Sequence, residues 1–213
     1  MVFYTISVDV RRLFLVSLLF LFTLVRPSLA ATHTLVCYGD SITAGHGLAE
    51  GQAYPDFLEH DLTAAGYHYR VLNRGTSGAT TGDAVAALPG ILALHPDVVI
   101  VEFGGNDGLR GLPLDTTRRN LDQVLSALES VHIRVLLAGI TLPPNYGPDY
   151  IRSFQQVFST LAAQHHVAFV PMIYKDLIHV SGTIQDDGIH PTAKGSAIIA
   201  KTLLPALKPL LTK

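Results

Sequence analysis

The chain has one cysteine and no tryptophan among its 213 residues. A lone thiol cannot close an internal disulfide, and Cys37 lies in an apolar run, where it reads as a small buried hydrophobe rather than a catalytic thiol. Charge is also scarce: 15% of residues are charged and the formal net charge is −2. No Lys/Arg cluster with interleaved aromatics occurs, so no nucleic-acid partner is expected. The phosphate loop G-x-x-x-x-G-K-[ST] is missing, and Gly45–Gly51 misses the G-x-G-x-x-G spacing by one, which argues against a nucleotide binder. There is no G-x-S-x-G nucleophile elbow. His165 and His166 are adjacent and cannot share a helix face, and nothing else resembles a ligand cluster. No metal or cofactor is expected.

What the chain does have is apolar residues, 48% of the total, which suits a folded core. Part of that share sits at the N-terminus. Arg11 and Arg12 precede the apolar run Leu13–Val25, and Ser28-Leu29-Ala30 offers small residues for cleavage. Residues 1–30 therefore read as a secretory signal peptide, and 31–213 as one exported domain, periplasmic or secreted. Without residues 1–30 the chain has 12 Lys+Arg against 16 Asp+Glu, or −4. Arg11-Arg12-Leu13-Phe14-Leu15 also resembles a twin-arginine motif, though the long apolar run fits the general secretory route better.

Along the exported part, short apolar runs alternate with helical periodicity. Strands are expected at 35–38, 69–72, 97–103, 134–140 and 167–171. Helices are expected at 54–65, 83–94 with a break at Pro89-Gly90, 116–130, 150–165 and 192–211, the last bent or ended by Pro205. Residues 104–113 read as loop, and 172–190 as a short helical piece plus loop. Continuous apolar strands separated by helices predict α/β architecture: a five-stranded parallel sheet covered on both faces, in three layers. All polar loops that follow strands then fall on one sheet edge, where ligands bind in such folds.

That edge carries the chemistry. The first strand ends in Gly39-Asp40-Ser41, which presents one hydroxyl and makes Ser41 a candidate nucleophile. Of the ten histidines, His190 stands out: Asp187 lies three residues before it and a helix start just after. Such an acid can fix the imidazole tautomer. Gly78 and Asn106 are candidate oxyanion donors, one through backbone N–H and the other through its side-chain NH2. His46, in the glycine-rich loop after Ser41, could line the site. The other histidines read as surface or structural, apart from His179 in the late loop.

Together these blocks resemble the GDSL, or SGNH, hydrolase family: Gly39-Asp40-Ser41, Asn73 to Gly78, Gly104-Gly105-Asn106-Asp107 and Asp187-x-x-His190, in that order. Within the family the chain is similar to the branch of exported bacterial acyl-CoA thioesterases, lysophospholipases and arylesterases. The supporting stretches are Leu142–Gly147 and Gln185–Pro191. The resemblance implies a flavodoxin-like SGNH fold. It implies Ser41, Asp187 and His190 as catalytic residues, with the oxyanion hole at Ser41, Gly78 and Asn106. Asp40, Gly105, Leu109, Pro143 and Ile189 would line the substrate. The reaction would be hydrolysis of aryl esters, lysophospholipids or acyl thioesters through an acyl-enzyme, by a monomer in transient contact with lipid. A carbohydrate acetylesterase is the alternative substrate class, and a non-catalytic ligand-binding protein the alternative of another kind. Two departures from the family pattern stand at Ala79, where relatives often carry an acid, and at Ile42, where the family name has Leu. The first is expected to alter substrate access and the second to be nearly neutral.

Overall fold

A computed structural model describes residues 1–3 and 33–213. The chain divides into two units, 1–31 and 32–213, and the second carries the fold described below. The signal segment expected over 1–30 falls, from residue 4 on, outside the described residues.

Among the described residues there are five strands: β1 (His33–Gly39), β2 (Tyr69–Gly75), β3 (Val98–Glu102), β4 (Arg134–Ala138) and β5 (Ala168–Val170). All neighbours pair in parallel, in the order β2-β1-β3-β4-β5. This is the doubly wound flavodoxin-like order, and its crossover reverses between β1 and β3. The strands read as apolar runs because the central ones are buried on both faces. Every residue of β3 is buried, including Glu102.

The described residues also form seven α-helices between and after them: α1 (Ser41–Ala44), α2 (Tyr54–Ala64), α3 (Thr81–Leu92), α4 (Gly105–Leu109), α5 (Leu114–Ser130), α6 (Pro148–Gln164) and α7 (Ala193–Leu207). α2 packs against α7, while α3, α5 and α6 form a second contiguous row. The apolar stripe of α5 (Leu121, Val124, Leu125, Leu128) and that of α6 (Phe154, Val157, Phe158, Leu161) are buried, as their spacing implies.

Four expectations need correction. α3 runs unbroken through Pro89, whose ring sits on the exposed side of the helix. α7 includes the exposed Pro205 and stops at Leu207, short of the expected 211, with a 3-10 turn at Lys208–Leu210 after it. The segment 104–113 contains α4, hidden in the sequence by Gly104, Gly105 and Gly108. Residues 172–190 form turns and no helix, apart from one bridge pairing Ile184 with Pro191. Cys37 is fully buried and burial pushes its thiol pKa upward, so no thiolate is available there. His165 is a structural histidine, clamped between Asp122 and Glu129 at 2.9 Å each.

Candidate active site

The nucleophile candidate is delivered by an abrupt strand-to-helix change. β1 stops at Gly39, Asp40 caps α1 by accepting Ile42 N–H at 3.0 Å, and Ser41 is the first helical residue. Gly39 is dictated by crowding: a Cβ there would stand 2.0 Å from Thr43 Oγ1 and 2.7 Å from the Glu102 carbonyl. The end of β2 is stitched to the same turn, since Asn73 Nδ2 donates to Thr43 O at 2.8 Å and Asn73 Oδ1 accepts Gly75 N–H at 2.9 Å.

His190 arrives from the far end of the sequence. Its Nε2 lies 2.9 Å from Ser41 Oγ, and its Nδ1 lies 2.6 Å from Asp187 Oδ2. A carboxylate only accepts, so Nδ1–H donates to Asp187 and Nε2 is left to accept the serine proton. Asp187 Oδ1 meanwhile accepts the N–H groups of Ile189 (2.9 Å) and His190 (3.0 Å). Partial burial alone would raise the Asp187 pKa. The N–H of Ile189 and the imidazole and N–H of His190 outweigh it, and the pKa falls to about 2. Tyr174 props this loop by donating to Ile189 O at 2.8 Å. The carboxylate on the imidazole is that of Asp187, not of its neighbour Asp186.

The donor side lies across from this line. Asn106 sits in the first turn of α4, and its Nδ2 donates to Ala79 O (3.0 Å) and, at longer range, to Asp40 Oδ2 (3.3 Å). Gly78 adopts φ +81°, a conformation that favours glycine, and Arg110 holds its carbonyl at 2.8 Å. Asp107 ties the two loops together by accepting Thr81 N–H at 2.9 Å along with the Thr81 hydroxyl. Ala79 is buried and outside the cavity lining, and its main-chain carbonyl accepts from Asn106.

Beneath the serine lies a pair of buried acids that the sequence reading did not connect. Burial, and then the charge of Asp40, push the Glu102 pKa well up, which favours its neutral form. Its Oε2 takes the Thr43 hydroxyl at 2.9 Å. For Asp40, burial raises the pKa, and the Ile42 N–H, the neighbouring Glu102 carboxyl, the charge of His190 and the Asn106 amide hold it to about 6. The available signal was a glutamate inside the β-branched run 97–103.

Ser41 and His190 open into a cavity of about 730 Å³. Asp40, Gly105, Leu109, Pro143 and Ile189 all line it, although the oxygens of Asp40 already serve Ile42 and Asn106. Ile140, Ile151, Met172 and Ile178, which also form its wall, were not expected there. His46 is absent from the cavity lining; its ring packs on His190, with centroids 4.5 Å apart. His179, by contrast, is an exposed loop residue. Among the described residues no group of three or more His, Cys, Asp or Glu is placed to hold a metal ion.

A hydroxyl, an imidazole and a carboxylate in line, at the sheet edge where the winding reverses, define a serine-hydrolase type of site. The GDSL-like lipase/acylhydrolase family model matches residues 37–198, and the chain belongs to that family. It is 42% identical over 183 residues to the protein named esterase TesA from Pseudomonas aeruginosa, covering 85% of this chain and 91% of the relative. It is 35% identical to an arylesterase of Vibrio mimicus, covering 88% of this chain and 94% of the relative. Identity is also 35% to thioesterase 1/protease 1/lysophospholipase L1 of Escherichia coli, covering 85% and 86%. Among solved structures, the crystal structure of TesA superposes with a TM-score of 0.81 at 42% identity, covering 84% of this chain and all of that one. A psychrotrophic esterase EstA from Pseudoalteromonas, inhibited by monoethylphosphonate, gives 0.78 at 28% identity, covering 83% and 97%.

Proposed function

We propose that the protein hydrolyses carboxylic esters and thioesters through an acyl-enzyme on Ser41. His190 takes the Ser41 proton as Oγ attacks the acyl carbonyl, and Asp187 stabilises the imidazolium that forms. The oxyanion is received by the N–H groups of Ser41 and Gly78 and by the Asn106 amide, which exchanges its long contact to Asp40 for the new oxygen. His190 then protonates the leaving alkoxide, phenol or thiol, and water deacylates Ser41 by the same route in reverse. The observation that carries this reading is the unbroken hydrogen-bonded line from Asp187 through His190 to Ser41, ending at an apolar cavity.

The cavity also favours a substrate class. Its walls are mostly aliphatic, and an acetyl group would leave most of its volume to water. A fatty acyl chain fits better than the acetyl group of a carbohydrate ester, in keeping with the arylesterase and lysophospholipase among the relatives. Each methylene withdrawn from water is worth about 0.8 kcal/mol. In a series of aryl esters from acetyl to palmitoyl, kcat/KM should therefore rise by about two- to fourfold per methylene while the chain is still filling the cavity. A sharp optimum at acetyl would contradict the fatty-acyl reading, and binding without turnover across the series would make the protein a ligand binder.

Export belongs to the same proposal. The N-terminal basic pair, apolar run and Ser28-Leu29-Ala30 support cleavage after Ala30, to release a periplasmic or secreted monomer that meets lipid only in passing. N-terminal sequencing of protein from the producing cell should begin at Ala31. A chain that keeps residues 1–30 would speak for an anchored form.

A further inference from the structure

We propose that Gln185 is a positioning residue: its side-chain amide latches the loop that carries Asp187 and His190 onto the turn that follows Ser41. The inference rests on the assignment of His190 as the base.

The problem it solves is geometric. Ser41 and His190 are 149 residues apart and sit on different loops, and their mutual hydrogen bond is made and broken during turnover. Something else must hold the two loops in register. The loop from 172 to 190 has no helix, and among the described residues one β-bridge, Ile184 to Pro191, is its strand-like pairing.

Gln185 supplies the missing connection. Its Nε2 donates to His46 O at 2.8 Å and to Pro191 O at 2.8 Å. Both partners are carbonyl oxygens, so the amide must present its NH2 group to them. One side chain thus joins the Ser41 turn to the residue next to His190. Its Oε1 is turned toward Gly47, where a Cβ would come within 2.5 Å of it. Gly47 also has φ +76°, so this glycine answers both to the backbone and to the amide packed against it. The Gln185 main chain is tied into the same hairpin: its N–H donates to His190 O at 2.8 Å, and its carbonyl accepts Gly188 N–H at 3.0 Å. Because the latch grips the His46 carbonyl, it also seats the His46 ring against His190.

Two substitutions separate the donor from the shape. Gln185→Glu keeps the size but sets a carboxylate oxygen against two carbonyls. Gln185→Met keeps the length and removes all polarity. A displacement of the base by about 1 Å can cost up to about 10²-fold in rate. Both variants should lose about 10- to 10²-fold in kcat on a short soluble aryl ester, with KM held within about threefold, and Glu should be at least as impaired as Met. The rate of Ser41 phosphonylation by a fluorophosphonate should fall in parallel. Gly47→Ala strikes the latch from the other loop and should give the same kcat defect. Adding Gln185→Ala to it should cost little more, because both changes break one contact. This second route serves where a Gln185 variant fails to fold. Wild-type kcat and labelling rate in folded Gln185→Glu, or full additivity with Gly47→Ala, would overturn the latch while leaving the nucleophile assignment intact. Wild-type labelling at a residue other than Ser41 would instead remove the reading on which it rests.

Discussion

Ser41→Ala is expected to lower ester turnover by on the order of 10⁴–10⁶-fold, leaving only what binding and the oxyanion donors supply. The size of the loss follows from the lack of a substitute nucleophile. Cys37 and Thr43 are fully buried, and the Thr43 hydroxyl is already given to Glu102. Stability should barely change, because the serine hydroxyl bonds to His190 at the cavity rather than inside the core. The check is initial-rate measurement on an aryl ester with purified protein, beside a thermal melt. Near-full activity in a folded Ser41→Ala protein would end the acyl-enzyme account.

Asp187→Asn should be nearly as damaging at neutral pH, by about 10⁴-fold in kcat. Asp187 uses one oxygen for two backbone N–H groups and the other for the imidazole. An asparagine would keep its carbonyl on the backbone donors and thereby aim its NH2 at His190 Nδ1. The imidazole would then have to accept at Nδ1 and carry its proton on Nε2, facing Ser41, where it can take nothing from the hydroxyl. The wild-type pH profile carries the companion signature. The Asp187 pKa is depressed in the fold to about 2, below the ordinary carboxylate value. What its charge contributes to stability is therefore complete above that ordinary value and disappears as pH falls through about 2. An acid limb in kcat above pH 4 thus belongs to another group. An Asp187→Asn enzyme within tenfold of wild-type kcat would contradict the tautomer argument.

The parts of this site that could be read from sequence share a physical reason. Gly39-Asp40-Ser41 and Asp187-x-x-His190 are local patterns: one is a strand that stops at a hydroxyl, the other an acid within reach of an imidazole. Parallel strands then bring their loops to one edge, and the structure does place these residues together. Strand order was harder, because periodicity identifies a strand but not its neighbours. Pro89 shows a local rule applied without its surroundings: proline reads as a helix break in sequence, and here it lies on the exposed side of a helix that runs through it. Met172 and Ile178 were missed because they reach the cavity from a turn segment with no periodicity. Gln185 was visible in its motif but silent in role, since both of its partners are main-chain carbonyls that no side-chain pattern announces.

The acid pair under the serine shows how the scaffold serves the site. Burial and the Asp40 charge both favour the neutral form of Glu102, and Asp40 holds both the start of α1 and the Asn106 amide. The same carboxylate thus fixes the turn that presents the nucleophile and the donor proposed to receive the oxyanion.

The most direct test is to react the folded protein with a fluorophosphonate and locate the adduct by peptide mass spectrometry. The account predicts one stoichiometric phosphonyl group on Ser41, formed at a rate that collapses in His190→Ala. An unlabelled protein that still hydrolyses esters, or a stoichiometric adduct on any other residue, would contradict it.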